Sequence, residues 1–209
     1  MFHRFGNGAV PCPEGGAGPG FETANQMHLE GSIMARTTIN VPENPVSHFL
    51  FNDTRSAWIW LIIRLYLGWK WLEAGWHKVT SDAWVGANAG AAVEGFVRKA
   101  VEEDRAITGW YASFLENVAL PNAKVFGYMV AFGEVLVGLG LILGLLTGIA
   151  AFFGSFMNVS FLFAGTLSTN PLLFILATWI VLAWKVAGWY GLDRWALPLL
   201  GTPWGRVSR

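Results

Sequence analysis

The stretch that decides the fold is RLYLGWKWLEAGWHK, residues 64–78. It forms the larger part of an apolar segment, residues 56–78, which is long enough to cross a bilayer as one helix of about 20 residues. Even so, the stretch carries the ionisable residues Arg64, Lys70, Glu73, His77 and Lys78. A charge near the bilayer centre costs from about 3 to more than 10 kcal/mol, so it normally faces a partner or a water-filled cavity. The segment therefore predicts a membrane helix whose charged residues serve either a functional site or helix packing.

Composition places the whole chain among integral membrane proteins. Of its 209 residues, 54% are hydrophobic and 13% are charged, and the mean hydropathy is +0.43. The formal net charge is zero, which argues against a nucleic-acid partner. The chain has a single cysteine, Cys12, so it has neither a dithiol pair nor a thiolate cluster for a metal. Redox chemistry would therefore have to use a bound cofactor, a quinone or another subunit.

Four apolar segments are long enough to span a bilayer. They are residues 56–78, 123–146, 148–167 and 171–190. The second and third are separated by so short a connection that they are expected to form an antiparallel hairpin. The sequence thus predicts an all-α integral membrane protein with a four-transmembrane-helix bundle.

A polar insert, residues 81–120, separates the first two spans and is too long for a simple turn. Within it, apolar residues recur at helical spacing from Val93 to Val101, with charged residues between them, as expected for an amphipathic helix at an interface. A second, aromatic segment covers residues 110–118 and is typical of the headgroup region of a bilayer. We predict that the insert forms a helical cap, which serves either as a simple lid or as part of a binding site.

These segments divide the chain into three parts. We predict a flexible N-terminal tail over residues 1–54, a four-helix membrane domain over residues 55–192, and a basic interfacial C-terminal tail over residues 193–209. The insert is rich in acidic residues and the end of the tail is basic. We therefore expect a multi-pass protein of the inner (plasma) membrane with both termini in the cytoplasm.

Arg64 has no carboxylate beside it on its own helix face. Glu134, in the middle of the second span, is the only carboxylate inside spans two to four before Asp193, so we predict an Arg64–Glu134 contact. Asn158 lies at a similar depth in the third span and would complete one polar cluster. In this cluster the guanidinium of Arg64 would bind an oxyanion, the carboxylate of Glu134 would relay a proton, and the amide of Asn158 would orient a carbonyl. Arg64, Glu134 and Asn158 are the candidate catalytic residues, and the alternative is a buried network that fixes helix register.

A second group on the first span consists of candidate residues for binding substrate or quinone. Lys78 and His77 lie near the outer end of the span, where they would admit an anion or take up quinol protons. Trp71 shares a helix face with Arg64, and Glu73 follows Lys70 by three residues, so that these two are predicted to pair. The other three histidines lie outside the spans, which disfavours a bis-histidine haem. We predict no bound metal or haem.

Several fragments of the sequence resemble the DoxX/DoxD family. They are RLYLGW at 64–69, AGWHK at 74–78, GEVLVGLGLILGLLT at 133–147, Asn158, AGT at 164–166, STNP at 168–171 and GWYGLDRW at 188–195. Together they cover about residues 55–204. The family includes the membrane subunit of thiosulfate:quinone oxidoreductase. The resemblance implies a four-span bundle that oxidises thiosulfate to tetrathionate and passes electrons to a membrane quinone, together with a second subunit.

Three functions follow as alternatives. The first is a redox subunit in which a quinone lies among the Trp-rich helices. The second is a non-catalytic subunit that stabilises a larger respiratory, photosynthetic or redox-defence complex, or a homo-oligomer, within the lipid bilayer. The third, a small-solute or ion transporter, is the least favoured, because the four spans show no obvious inverted repeat and no paired broken helices.

Overall fold

The computed structural model describes residues 42–103 and 108–200, and within these ranges the chain is all helical, as predicted. Residues 1–41, which make up most of the predicted N-terminal tail, lie outside the described residues, as do residues 201–209 at the end of the C-terminal tail. Residues 45–52 of the predicted tail form a helix. The described residues from Glu43 onward belong to one compact unit.

The helices follow the predicted segments closely. They are α1 (Pro45–Asn52), α2 (Ala57–Val79), α3 (Ala91–Glu102), α4 (Gly109–Phe114), α5 (Ala123–Leu143), α6 (Thr147–Phe163), α7 (Asn170–Leu182), α8 (Trp184–Ala187) and α9 (Asp193–Leu199). The predicted spans correspond to α2, α5, α6 and α7. The fourth ends earlier than predicted, because the chain breaks after Leu182 and continues as the short helix α8.

Length and apolar composition distinguish α5 from the other helices. Among the described residues, α5 is the one helix that is long and apolar enough to cross a membrane by these two criteria, while α6 and α7 are apolar but shorter. Helix α2 has 23 residues but carries the charged side chains described above. The all-helical class is therefore confirmed, and the four membrane crossings stay a prediction.

Helices α2 and α5 approach each other so closely that their backbones touch. A Cβ atom added to Gly138 would lie 2.6 Å from the backbone nitrogen of Leu72, and one added to Gly75 would lie 2.7 Å from that of Val135. Only glycine permits this separation, which is the usual role of small residues between membrane helices. The close approach brings the outer end of α2 against the middle of α5.

The predicted hairpin between α5 and α6 is confirmed, and Asp193 holds it. Its side chain is fully buried, and its two carboxylate oxygens accept hydrogen bonds from the backbone nitrogens of Leu146 (2.5 Å) and Thr147 (2.9 Å). The backbone nitrogen of Asp193 donates in turn to the carbonyl of Gly144, at 2.7 Å. A carboxylate at the start of a helix satisfies free N–H groups and complements the helix dipole. The first residue of the predicted interfacial tail thus belongs to the bundle.

The insert forms the predicted amphipathic cap. The apolar face of α3, including Val93 and Val97, packs against α4 and a following π-helical turn, Leu115–Ala119. The Tyr111 hydroxyl donates to the Ser160 carbonyl of α6 at 2.9 Å, and burial of the ring raises the pKa of Tyr111. The cap is therefore joined to the bundle by both apolar contacts and a hydrogen bond.

We expect Asp193→Asn to destabilise the fold. The amide keeps one acceptor oxygen but places its NH2 group against the other backbone donor, either that of Leu146 or that of Thr147. The loss of one hydrogen bond and of the charge at the second costs about 2 to 4 kcal/mol in total. The measurement is the free energy of unfolding in detergent micelles. Glu94→Gln removes the same charge from an exposed position of α3 and is the matched control. Equal stability of the two variants would contradict the role given to Asp193.

Candidate functional site

Arg64 does not contact Glu134, and that prediction is wrong. Its side chain is 1% exposed, and its guanidinium donates to two backbone carbonyls, from Nη1 to Ala187 at 3.2 Å and from Nη2 to Tyr190 at 3.0 Å. Ala187 is the last residue of α8, and a cation is favoured at the carbonyl end of a helix. The charge of Asp193 also interacts favourably with Arg64. Arg64 is therefore enclosed by the C-terminal part of the bundle.

Two glycines make room for this guanidinium. A Cβ atom on Gly191 would lie 2.7 Å from Nη1 of Arg64, and one on Gly144 would collide with the same atom. Gly144 ends α5 with a φ of 64°, in the left-handed region that favours glycine. This arrangement has no direct signal in the sequence, because backbone carbonyls and the helix end at Ala187 are not visible in residue types.

Lys78 is the residue that pairs with Glu134. The distance from Lys78 Nζ to Glu134 Oε2 is 2.6 Å, and the glutamate side chain is almost fully buried. The same ammonium lies 5.2 Å from the ring centroid of Trp84, within the range of a cation–π contact. The pair connects the outer end of α2 to the middle of α5. Sequence reasoning missed Trp84, because its position depends on the path of the turn after α2.

This pair lines a large cavity that is partly open at the surface. Its volume is 1530 Å³, and its lining is mostly apolar and aromatic, drawn from α2, the cap, α5 and α6. Of the predicted site residues, the cavity brings together Trp71, Glu73, His77, Lys78, Glu134 and Asn158, whereas Arg64 is not part of the lining. Pockets for small molecules commonly combine such an apolar wall with a few polar groups. Within the described residues, no group of three or more His, Cys, Asp or Glu is placed to hold a metal ion.

Two polar side chains of the lining lack hydrogen-bond partners. The indole Nε1 of Trp71 and both polar atoms of Asn158 are buried with no partner. Trp71 Nε1 would lie 3.3 Å from a Cβ atom on Gly154, and Gly154 and Asn158 are four residues apart on α6. Residues at this spacing share a helix face, one turn apart. The unpaired indole and amide therefore lie close together between α2 and α6.

The remaining predicted residues lie at the outer part of the cavity. Lys70 and Glu73 form the predicted ion pair, with a distance of 3.0 Å between Nζ and Oε2. These two side chains are 42% and 46% exposed, and His77 is exposed one turn further along α2. The structure thus separates a buried polar side of α2, which carries Trp71 and Lys78, the partner of Glu134, from an exposed one.

The model of one protein family, DoxX, matches residues 59–166, a range that includes the cap, α5, α6 and all but the first two residues of α2. No curated protein matches the chain, and no solved structure does. The matched range contains every cavity residue discussed above, from Trp71 to Asn158.

A double-mutant cycle on Lys78 and Glu134 is expected to show strong coupling. Lys78→Met or Glu134→Leu alone leaves one charge without its partner, and for a buried pair this lowers the free energy of unfolding by about 3 to 5 kcal/mol. The double variant has neither charge, so it regains much of the lost free energy of unfolding. The measurement is the free energy of unfolding of the four proteins in detergent. The exposed pair Lys70 and Glu73 is the control, for which we expect little coupling. Additive effects at Lys78 and Glu134 would show that the buried contact is energetically unimportant.

Proposed function

The chain belongs to the DoxX family, and on that premise we propose that it is a membrane redox subunit that passes electrons from thiosulfate or a similar small sulfur anion to a membrane quinone. DoxX proteins are membrane proteins. The observation that carries the proposal is the unpartnered pair Trp71 and Asn158 in an apolar cavity beside Lys78 and Glu134. A buried polar atom without a hydrogen bond is costly unless a ligand supplies one.

The proposal places α2, α5, α6 and α7 across the bilayer with the cap at one surface. Apolar and aromatic side chains cover the outside of these helices, including Trp58, Trp69, Trp76 and Trp179. Large exposed apolar surfaces mark contact with lipid or protein, and tryptophan is enriched at membrane interfaces. We place the protein in the plasma membrane with both termini in the cytoplasm.

The residues of the cavity fit a quinone. The Trp71 indole offers one N–H donor, and the Asn158 amide offers donors and an acceptor, which suits a ring that carries carbonyl oxygens. The aromatic lining suits the ring faces, and the apolar groove along α5 and α6 suits a long tail. Glu134, held by Lys78, lies in the same cavity and is the group that would pass protons to the site.

The proposed reaction balances without a cysteine. Two thiosulfate anions join through a new S–S bond to give tetrathionate and release two electrons. A bound quinone would take up those electrons together with two protons to form the quinol. The sulfur is never attached to the protein, which is consistent with a sequence whose single cysteine, Cys12, lies in the N-terminal tail.

A non-catalytic role in a larger membrane complex is the second candidate. The observation that favours it is the number of large aromatic and aliphatic side chains on the outside of the bundle, such as Trp195 beyond α7. Surfaces of this kind serve protein partners as well as lipid. Under this proposal the buried charges only hold the helices together, and the cavity holds a lipid or another structural amphiphile.

The test is thiosulfate-dependent reduction of a soluble quinone analogue by the purified protein in detergent, alone and with its co-purifying proteins. We expect turnover, and we expect Asn158→Leu to lower its rate about tenfold, since one lost hydrogen bond of about 1.4 kcal/mol changes a rate by this factor. Ser155→Ala is the matched control, because this residue lies on α6 but does not line the cavity. An absence of turnover in both preparations, with a stable complex recovered, would favour the structural role instead.

A further inference from the structure

The charges that line the cavity are balanced. Among the described lining residues the lysines are Lys70 and Lys78, and each is paired with a carboxylate, at 3.0 Å to Glu73 and at 2.6 Å to Glu134. Each lysine charge is therefore cancelled within one contact distance. A small dianion that entered this space would lose its hydration and meet no uncompensated lysine, which is a costly transfer.

Arg64 does not change this balance. Its guanidinium is directed towards the carbonyls of Ala187 and Tyr190, and it is absent from the cavity lining. The space next to it is filled by the backbone of Gly144 and Gly191. An anion in the cavity therefore has no access to the one buried arginine of the described bundle.

The free polar atoms of the cavity are neutral ones. Trp71 Nε1 is a donor, Asn158 Nδ2 is a donor and Asn158 Oδ1 is an acceptor, and all three are buried without partners. A neutral carbonyl oxygen accepts from the two donors, and a hydroxyl on the same ring, once reduced, donates to Oδ1. The volume of 1530 Å³ exceeds the usual range of about 300 to 1,000 Å³ for small-ligand pockets, so there is room for a ring and a tail.

We infer that Trp71 and Asn158 form a headgroup site for a neutral ring that carries oxygen acceptors, and that the paired lysines exclude the sulfur anion from the same cavity. The inference rests on the proposed function, and it assigns the quinone and the sulfur anion of that function to two different sites. The quinone binds between α2 and α6, and the anion is oxidised outside this cavity. Trp71 and Asn158 determine specificity, and the Lys78–Glu134 pair keeps the site neutral.

The experiment is equilibrium binding by titration calorimetry, with the full chain in detergent. The probes are a benzoquinone with a decyl tail and sodium thiosulfate, with sodium sulfate as the ionic control. We expect saturable binding of the quinone, with a dissociation constant that saturating thiosulfate leaves unchanged, because the anion does not enter this cavity. Trp71→Phe and Asn158→Leu are each expected to weaken quinone binding about tenfold, while Ser155→Ala, outside the cavity, leaves it unchanged.

Two further variants test the role of charge. Glu134→Gln leaves Lys78 without its carboxylate and is expected to admit thiosulfate to the cavity, so that thiosulfate weakens quinone binding by competition. The double variant Lys78→Met, Glu134→Leu removes both charges, and it is expected to bind the quinone without competition from thiosulfate. Competition between thiosulfate and the quinone in the wild type, or no competition in Glu134→Gln, would overturn the role given to the pair. Unchanged quinone binding in Trp71→Phe and Asn158→Leu would overturn the headgroup site.

These results are separate from the turnover assay. Quinone binding that depends on Trp71 and Asn158, without turnover in any preparation, would support the site and contradict the proposed function. Turnover with no dependence of binding on Trp71 and Asn158 would support the proposed function and contradict the site.

Discussion

The bundle depends on Arg64, because its guanidinium lies in an apolar interior and needs hydrogen-bond partners there. A buried cation without partners is more costly than almost any other defect in a fold. Here the partners are backbone carbonyls at the end of α8 and in the turn that follows it. This explains why α8 ends at Ala187, since a helix end leaves carbonyls free that a longer helix would use internally. The same turn places Asp193 at the start of α6, so that one buried residue organises the C-terminal quarter of the described chain.

A second constraint is the close contact between α2 and α5. Glycines on both helices allow the two backbones to touch. At this distance the long side chain of Lys78 pairs with Glu134, a buried carboxylate of α5. Because α2 is occupied by α5 on one side, its indole at Trp71 faces α6, next to Gly154. Helix packing and cavity chemistry therefore have the same origin. The glycines that permit contact between α2 and α5 therefore determine where the polar end of the cavity lies.

The sequence predicted the helices well and their charge partners less well. Apolar periodicity and length identified α2, α5, α6 and the amphipathic helix α3, since these signals are local. The ion pair between Lys70 and Glu73 was predicted correctly, because both residues lie on one helix. The partner of Arg64 was predicted wrongly, because only carboxylates were considered and backbone carbonyls carry no residue-type signal. Trp71, Lys78, Glu134 and Asn158, which were predicted in two separate groups, line one cavity, and the roles assigned to them stay predictions.

The contact of Arg64 with Ala187 also has a consequence for synthesis of the chain. The two residues are 123 positions apart, so Arg64 is made long before its acceptor exists. At about 5 to 20 residues per second, the delay is on the order of 6 to 25 seconds. During that interval the nascent helix α2 must keep its guanidinium hydrated, or in contact with headgroups or the insertion machinery. The hydrogen bonds of Arg64 are thus completed only when the segment that contains Ala187 and Tyr190 has been made, so a chain that stops before it leaves this cation without those two acceptors.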